Sequence, residues 1–159
     1  GTLLHEEDDS IETRYLEPII ADFVLTTTFY NPYSADSNPW DYGFFFRNNE
    51  QGDFALIIRS SGWFELFYRP MSDWDNLIII NYDYSDRILT SGHSNNKLKI
   101  AAIGDTGYLW INNKFITKLD LSENISAGTI SIGTGFYNGS EVDGEETLYS
   151  SVELRGEAD

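Results

Sequence analysis

Residues 40–69 read WDYGFFFRNNEQGDFALIIRSSGWFELFYR, a run that sets arginines and a glutamate among aromatic and aliphatic side chains. A charge buried without a partner is expensive, so the run makes sense only if successive residues look in opposite directions. An extended strand does this, because residues i and i+2 share one face of a sheet. Three strands over 42–47, 54–60 and 63–69 then separate into two sets. Phe44, Phe46, Phe54, Leu56, Ile58, Phe64 and Leu66 face a core, whereas Arg47, Arg59, Trp63, Glu65 and Arg69 face outward. The intervening NNEQGD and SSG supply turn residues.

The same alternation, broken by Gly, Asn, Asp and Ser, continues along the chain, and helical periodicity is nearly absent. Further strands are expected over 21–30, 77–82, 98–103, 108–111, 114–118, 129–136 and 147–154. GDTG at 104–107 reads as a tight hairpin, and INNKF places Asn112 and Asn113 where a positive φ is needed. Pro18, Pro32, Pro39 and Pro70 are expected outside strand interiors, since proline has no N–H to give a ladder. About ten strands with short hairpins and two longer connections, 31–41 and 82–96, predict an all-β, two-sheet antiparallel sandwich of the jelly-roll type. The 159 residues read as a single domain. Residues 1–10 read as a flexible tail or domain boundary, as though the domain were excised from a longer protein.

Composition narrows the function classes. Ten Lys and Arg against 26 Asp and Glu give a formal charge of −16. With no evident cluster of basic residues, nucleic acid and anionic membrane surfaces are poor partners. Nothing resembles a span of about 20 apolar residues, so membrane insertion is not expected. Cysteine is absent, which removes disulfides, thiolate metal sites and cysteine nucleophiles. The acidity suits a soluble extracellular module or a cation binder.

The outward residues carry the candidate chemistry. Arg47, Arg59, Trp63 and Glu65, joined by Trp110 from the outward set of YLWIN, form a face able to recognise sugars. Rings stack on the C–H faces of pyranoses while guanidinium and carboxylate groups take hydroxyls. Trp40 and Trp74, in or beside loops, are rim candidates for the same ligand. Oxygen-rich clusters at Asp73/Asp75/Asn76, Asp83/Asp86, Asp36/Asn38/Asp41 and Glu141/Asp143/Glu145 each offer part of a calcium shell, which makes calcium a candidate cofactor. Asp73, Asp75, Asp83 and Asp86 are the foremost of these ligands. None follows an EF-hand frame. His5 and His93 are the only histidines, and no Ser-His-Asp spacing supports a triad.

The long run at 40–69, followed by NKLKIAAIGDTGYLWINNKFITKLDLS, AGTISIGTGFY and TLYSSVELRG, resembles the concanavalin A-like lectin/glucanase superfamily. Its laminin-G-like and keto-disaccharide-hydrolase-like branch is the nearest match, over about residues 20–155. The resemblance implies a jelly roll whose curved sheet or rim loops hold a ligand. Members include carbohydrate-binding modules and glycosidases, and several carry structural calcium. Ser150 and Ser151 stand where many relatives have paired aspartates. The glucanase signature Glu-x-Asp-x-x-Glu has a counterpart in Glu141, Asp143 and Glu146, but the surrounding NGSEVDGEE reads as a loop rather than a rigid strand.

The expectation is therefore a noncatalytic carbohydrate-binding or adhesion module, extracellular or at a cell surface, with a polysaccharide or glycan as partner. A structural domain that docks on other surface-protein domains is the alternative reading, and a glycosidase using Glu141 and Glu146 is a third.

Overall fold

The computed structural model describes residues 1–6 and 9–156. Within them the chain forms strands β1 (Thr2–Leu4), β2 (Glu12–Ile20), β3 (Phe23–Tyr30), β4 (Asp41–Asn49), β5 (Gly52–Arg59), β6 (Trp63–Pro70), β7 (Ile78–Tyr84), β8 (Asn95–Ile103), β9 (Thr106–Ile111), β10 (Lys114–Asp120), β11 (Gly128–Thr134) and β12 (Glu146–Gly156). They pair antiparallel into two six-stranded sheets. One runs β1-β12-β3-β8-β9-β10 and is called here the β8 sheet; the other runs β2-β11-β4-β5-β6-β7 and is called the β5 sheet. The two pack face to face as a jelly-roll β-sandwich.

Local chemistry explains the hairpins. Asn112 and Asn113 both adopt positive φ, 51° and 64°, in the turn that pairs Lys114 with Ile111, a conformation that Asn tolerates better than most residues. Gly43, in mid-β4, answers a different need: a Cβ there would lie 1.9 Å from the backbone oxygen of Leu56, so the approach of β4 to β5 requires a bare Cα.

Two expectations are corrected at the start of the chain. Residues 1–10 are not simply a tail, because β1 pairs with β12 through Thr2, Leu3 and Leu4 and Leu3 is fully buried. Residues 7 and 8 lie outside the described set. β2 was not expected either, and it contains Pro18 in its interior. An edge strand tolerates this; β2 sits at the edge of the β5 sheet, and its register with β11 slips where Pro18 falls, between the Ile20 and Leu16 pairings.

The core lies between the sheets. Phe44, Phe46, Phe54, Leu56, Ile58, Phe64 and Leu66 join Phe29, Leu98, Ile100, Leu109, Ile111, Ile130 and Ile132 there. A ladder of rings runs through it: Trp40 stacks on Tyr42 at 5.0 Å, and Tyr42 on Phe29 at 4.5 Å. Such pairs contribute about 0.5–1.5 kcal/mol each beyond the area they bury. A smaller cluster of Phe45, Ala55 and Ile57, backed by Phe67, Phe136 and Tyr137, lies on the opposite side of the β5 sheet. β4 and β5 are thus sealed on both faces along part of their length, which is why their sequences read as almost continuously apolar.

One end of the sandwich is closed by amides. Asn96 donates to the Tyr42 hydroxyl at 2.7 Å and to the Leu89 carbonyl at 2.9 Å, and its own carbonyl accepts from Leu89 N and from the Asn112 amide. Asn31 accepts from Tyr42 and donates to the carbonyls of Leu89 and Ser91. The long connection between β7 and β8 is pinned to the core by these three asparagines.

Candidate functional site on the outer face of the β5 sheet

Register decides which side chains meet on this face. β5 pairs Ile57 with Glu65 and Asp53 with Arg69, and β6 pairs Glu65 with Tyr82 and Trp63 with Tyr84. The outer face therefore gathers Arg59, Trp63, Glu65, Arg69, Tyr82 and Tyr84. Trp63 stacks on Tyr82 at 4.6 Å, with Tyr84 edge-on at 6.2 Å. The two tyrosine rings are more than half exposed, at 51 % and 57 %.

The segment after β11 completes the arrangement. Asp41, buried at the start of β4, accepts the backbone N–H groups of Phe136 and Tyr137 on its two carboxylate oxygens, at 2.9 and 3.0 Å. Burial pushes its carboxyl above the ordinary carboxylate range, while those amides pull the other way. Anchored so, Phe136 packs on Phe45 and the Tyr137 hydroxyl donates to Glu65. Burial, and next the hydrogen bond to Glu65, raise the Tyr137 phenol well beyond its usual range. Arg59 lies over the Tyr137 ring with its guanidinium carbon 4.2 Å from the centroid. Among the described residues Arg59 makes no ion pair, so a planar fork of N–H donors stands at the head of the β5–β6 hairpin, on the same face as Trp63.

Arg69 differs, because Asp53 holds it with two hydrogen bonds, at 2.6 and 3.1 Å. It is layered between Phe45 and Trp74, 5.2 and 4.1 Å from their centroids. Trp74 remains partly exposed beyond it and extends the face toward the β6–β7 connection.

Three of the residues expected on a binding surface sit elsewhere. Arg47 is fully buried: the β4–β5 register shifts after Phe46, Arg47 adopts φ 51°, and its side chain turns to the sandwich end. There it donates to the carbonyls of Ala21 at 3.0 Å and Asn124 at 2.9 Å, with Asp22 at 3.4 Å. Trp40 is 1 % exposed and belongs to the core rather than the rim. Trp110 is outward-facing but on the β8 sheet, on the far side of the sandwich from Trp63, because β9 pairs with β8 and β10. In the other direction, Tyr137 was not anticipated; the GFY that follows β11 was its signal.

Among the described residues the candidate calcium ligands are not gathered into one cluster. The Asp83 carboxylate accepts its neighbour's backbone N–H at 2.8 Å, and Asp86 pairs with Arg87 at 3.3 Å. Asp73 and Asp75 are exposed in the β6–β7 connection, and among the described residues no three Asp, Glu, His or Cys side chains converge. Asp41 spends both oxygens on amides. The carboxylates of the glucanase-like signature come from different places: Glu141 is buried with its carboxylate against Gly135, and Glu146 is exposed where β12 begins. They do not share one strand face. Asn124, in one of two N-x-S sequons, is buried and bonded to Arg47 and Gly52 carbonyls.

Comparison with known proteins places the fold. No family model and no curated protein sequence matches the chain. Among solved structures it is similar to the carbohydrate-binding module CBM66 from Bacillus subtilis, with a TM-score of 0.66 and 10 % identity over 94 % of this chain and 84 % of that one. It is also similar to sheep galectin-11 in complex with glycerol, TM-score 0.59 and 10 % identity over 92 % and 96 %. Caenorhabditis elegans galectin LEC-6 gives 0.57 and 12 % identity over 96 % and 95 %. At such identities the likeness is one of fold: a lectin-like jelly roll, consistent with the concanavalin A-like architecture.

Proposed function

We propose that this chain is a noncatalytic carbohydrate-binding module of an extracellular or cell-surface protein, and that it holds a glycan on the outer face of the β5 sheet. The observation that carries the reading is the Trp63–Tyr82–Tyr84 ring cluster, with both tyrosines exposed and Trp63 half-buried, on the same sheet face as Arg59, whose guanidinium is positioned by Tyr137 and makes no ion pair among the described residues. The rings offer apolar surface to the C–H face of a sugar, and the guanidinium fork takes adjacent hydroxyls. Glu65, buried and fixed by Tyr137, lies beneath these groups. The fold likeness to a carbohydrate-binding module and to galectins supports the reading. The resemblance of the sequence motifs to the laminin-G-like and keto-disaccharide-hydrolase-like branch of the superfamily is in keeping with it.

A glycan array followed by calorimetry on the best soluble oligosaccharide tests it. Trp63→Ala, Tyr82→Ala and Arg59→Gln are each expected to weaken binding by about tenfold, the scale of one ring contact or one charged hydrogen bond. Reducing-end assays on the bound glycan are expected to show no hydrolysis. Full affinity in all three variants, or an array with no bound glycan, would sink the proposal.

A further inference from the structure

On the far side of the sandwich the structure assigns a second site, for an acidic saccharide, to the outer face of the β8 sheet. The chain has only four lysines, Lys97, Lys99, Lys114 and Lys118, and all of them fall on β8 and β10. A groove of about 390 Å³ on this face is lined by Lys97, Lys99, Trp110, Asn113 and Thr26 and by the ion pair of Arg155 with Glu153. The basic residues do cluster, therefore, contrary to the impression left by their spacing in the sequence.

Two features make this more than a solvated surface. The first is electrostatic. In a chain with 26 carboxylate side chains a lysine meets acidic neighbours easily, yet among the described residues none of the four lysines makes an ion pair. Lys97 and Lys99 share one face of β8 about 7 Å apart, given the rise of a strand, and Arg155 stands across β3 from them. Arg155 is offset by Glu153, so the repulsion that remains is between the two unpaired lysines, and an anion bound between them relieves it.

The second is the platform. Lys99 Nζ lies 4.6 Å from the centroid of Trp110, which Phe115 buttresses edge-on at 5.7 Å, and Lys118 lies over Tyr108. A pyranose ring laid on the indole puts a carboxylate or sulfate substituent within reach of the two ammonium groups, while Asn113 and Thr26 meet its hydroxyls. A nucleic acid also stacks and also carries charge. Its dense phosphates, however, meet a protein of net charge −16 with a patch only a few cations wide, which favours a sparsely charged sugar chain. This site is independent of the glycan site proposed on the β5 sheet, since no residue is shared.

The test titrates the chain at low salt with oligogalacturonate, dextran sulfate, neutral dextran and a single-stranded oligonucleotide. Oligogalacturonate or dextran sulfate is expected to bind, and whichever binds more tightly identifies the anionic group. Lys97→Gln with Lys99→Gln, and separately Trp110→Ala, are each expected to weaken that binding by about tenfold or more, whereas Trp63→Ala leaves it unchanged. The glutamine pair, on the sheet surface, guards against a folding defect in Trp110→Ala. Four results would overturn the assignment: no acidic saccharide bound, neutral dextran bound equally well, the oligonucleotide bound more tightly than either saccharide, or affinity unaltered by the glutamine pair.

Discussion

Replacing Arg47 separates its structural role from any part in ligand binding. Its fully buried side chain supplies charged donors to two backbone carbonyls, of Ala21 and Asn124. Hydrogen bonds to a charged group contribute about 1.5–3 kcal/mol each, and truncation leaves the carbonyls without that partner. The Asp22 contact adds little, because Asp22 is largely exposed. Arg47→Ala is therefore expected to cost about 3–5 kcal/mol, the scale of two charged hydrogen bonds lost together. The backbone gives an internal control. At φ 51° a residue with a Cβ is strained by about 1–2 kcal/mol, and glycine escapes that strain at an entropic cost of about 0.5–1 kcal/mol. Arg47→Gly should consequently be milder than Arg47→Ala by about 0.5–1 kcal/mol, although it deletes more atoms. Urea unfolding followed by tryptophan fluorescence reads both, with an unchanged m-value showing that the unfolded state is not the cause. An alanine variant within about 1 kcal/mol of the parent would contradict the estimate built on two charged hydrogen bonds. A glycine variant less stable than the alanine one would refute the backbone argument, and loss of glycan affinity in a folded Arg47→Ala protein would return this residue to the binding site.

Two further perturbations probe the ends of the sandwich. Asn96→Ala removes an amide bonded to Tyr42, Leu89 and Asn112, and is expected to cost about 3 kcal/mol or more and to speed hydrogen exchange across residues 85–94; a cost under about 1 kcal/mol would show that the network is not what pins that loop. His5 shifts in the opposite direction to the buried Asp41: it donates from Nε2 to Thr147 and accepts the Val142 N–H on Nδ1, an arrangement only the neutral ring can make, and burial lowers its pKa below 6.5. Its contribution is thus present above pH about 6.5 and lost as pH falls toward and through the folded value, so exchange protection of the Val142 amide should drop on acidification in the parent and be insensitive to pH over that range in His5→Gln.

Much of this protein was written in its local pattern. A period of two among large apolar residues admits only strands, and it correctly divided Phe44, Leu56 and Phe64 from Arg59, Trp63 and Glu65, because every step of a regular strand reverses the side chain. The paired asparagines at 112 and 113 announced their turn through the same kind of local constraint. What lay beyond reach depended on partners distant in the chain. Arg47 sits in a strand by its spacing, yet a register slip against β5 and β11 turns it to carbonyls at Ala21 and Asn124. Trp110 and Trp63 look alike in alternation, and only the strand order, which places β9 and β6 in different sheets, sends them to opposite sides of the molecule. β1 and β2 were hidden because an edge strand buries little, so its sequence carries weak periodicity and even tolerates Pro18. Alternation is a property of neighbours along the chain, whereas sheet membership, bulges and the gathering of lysines on one face belong to pairings between residues far apart in sequence, which the three-dimensional fold alone establishes.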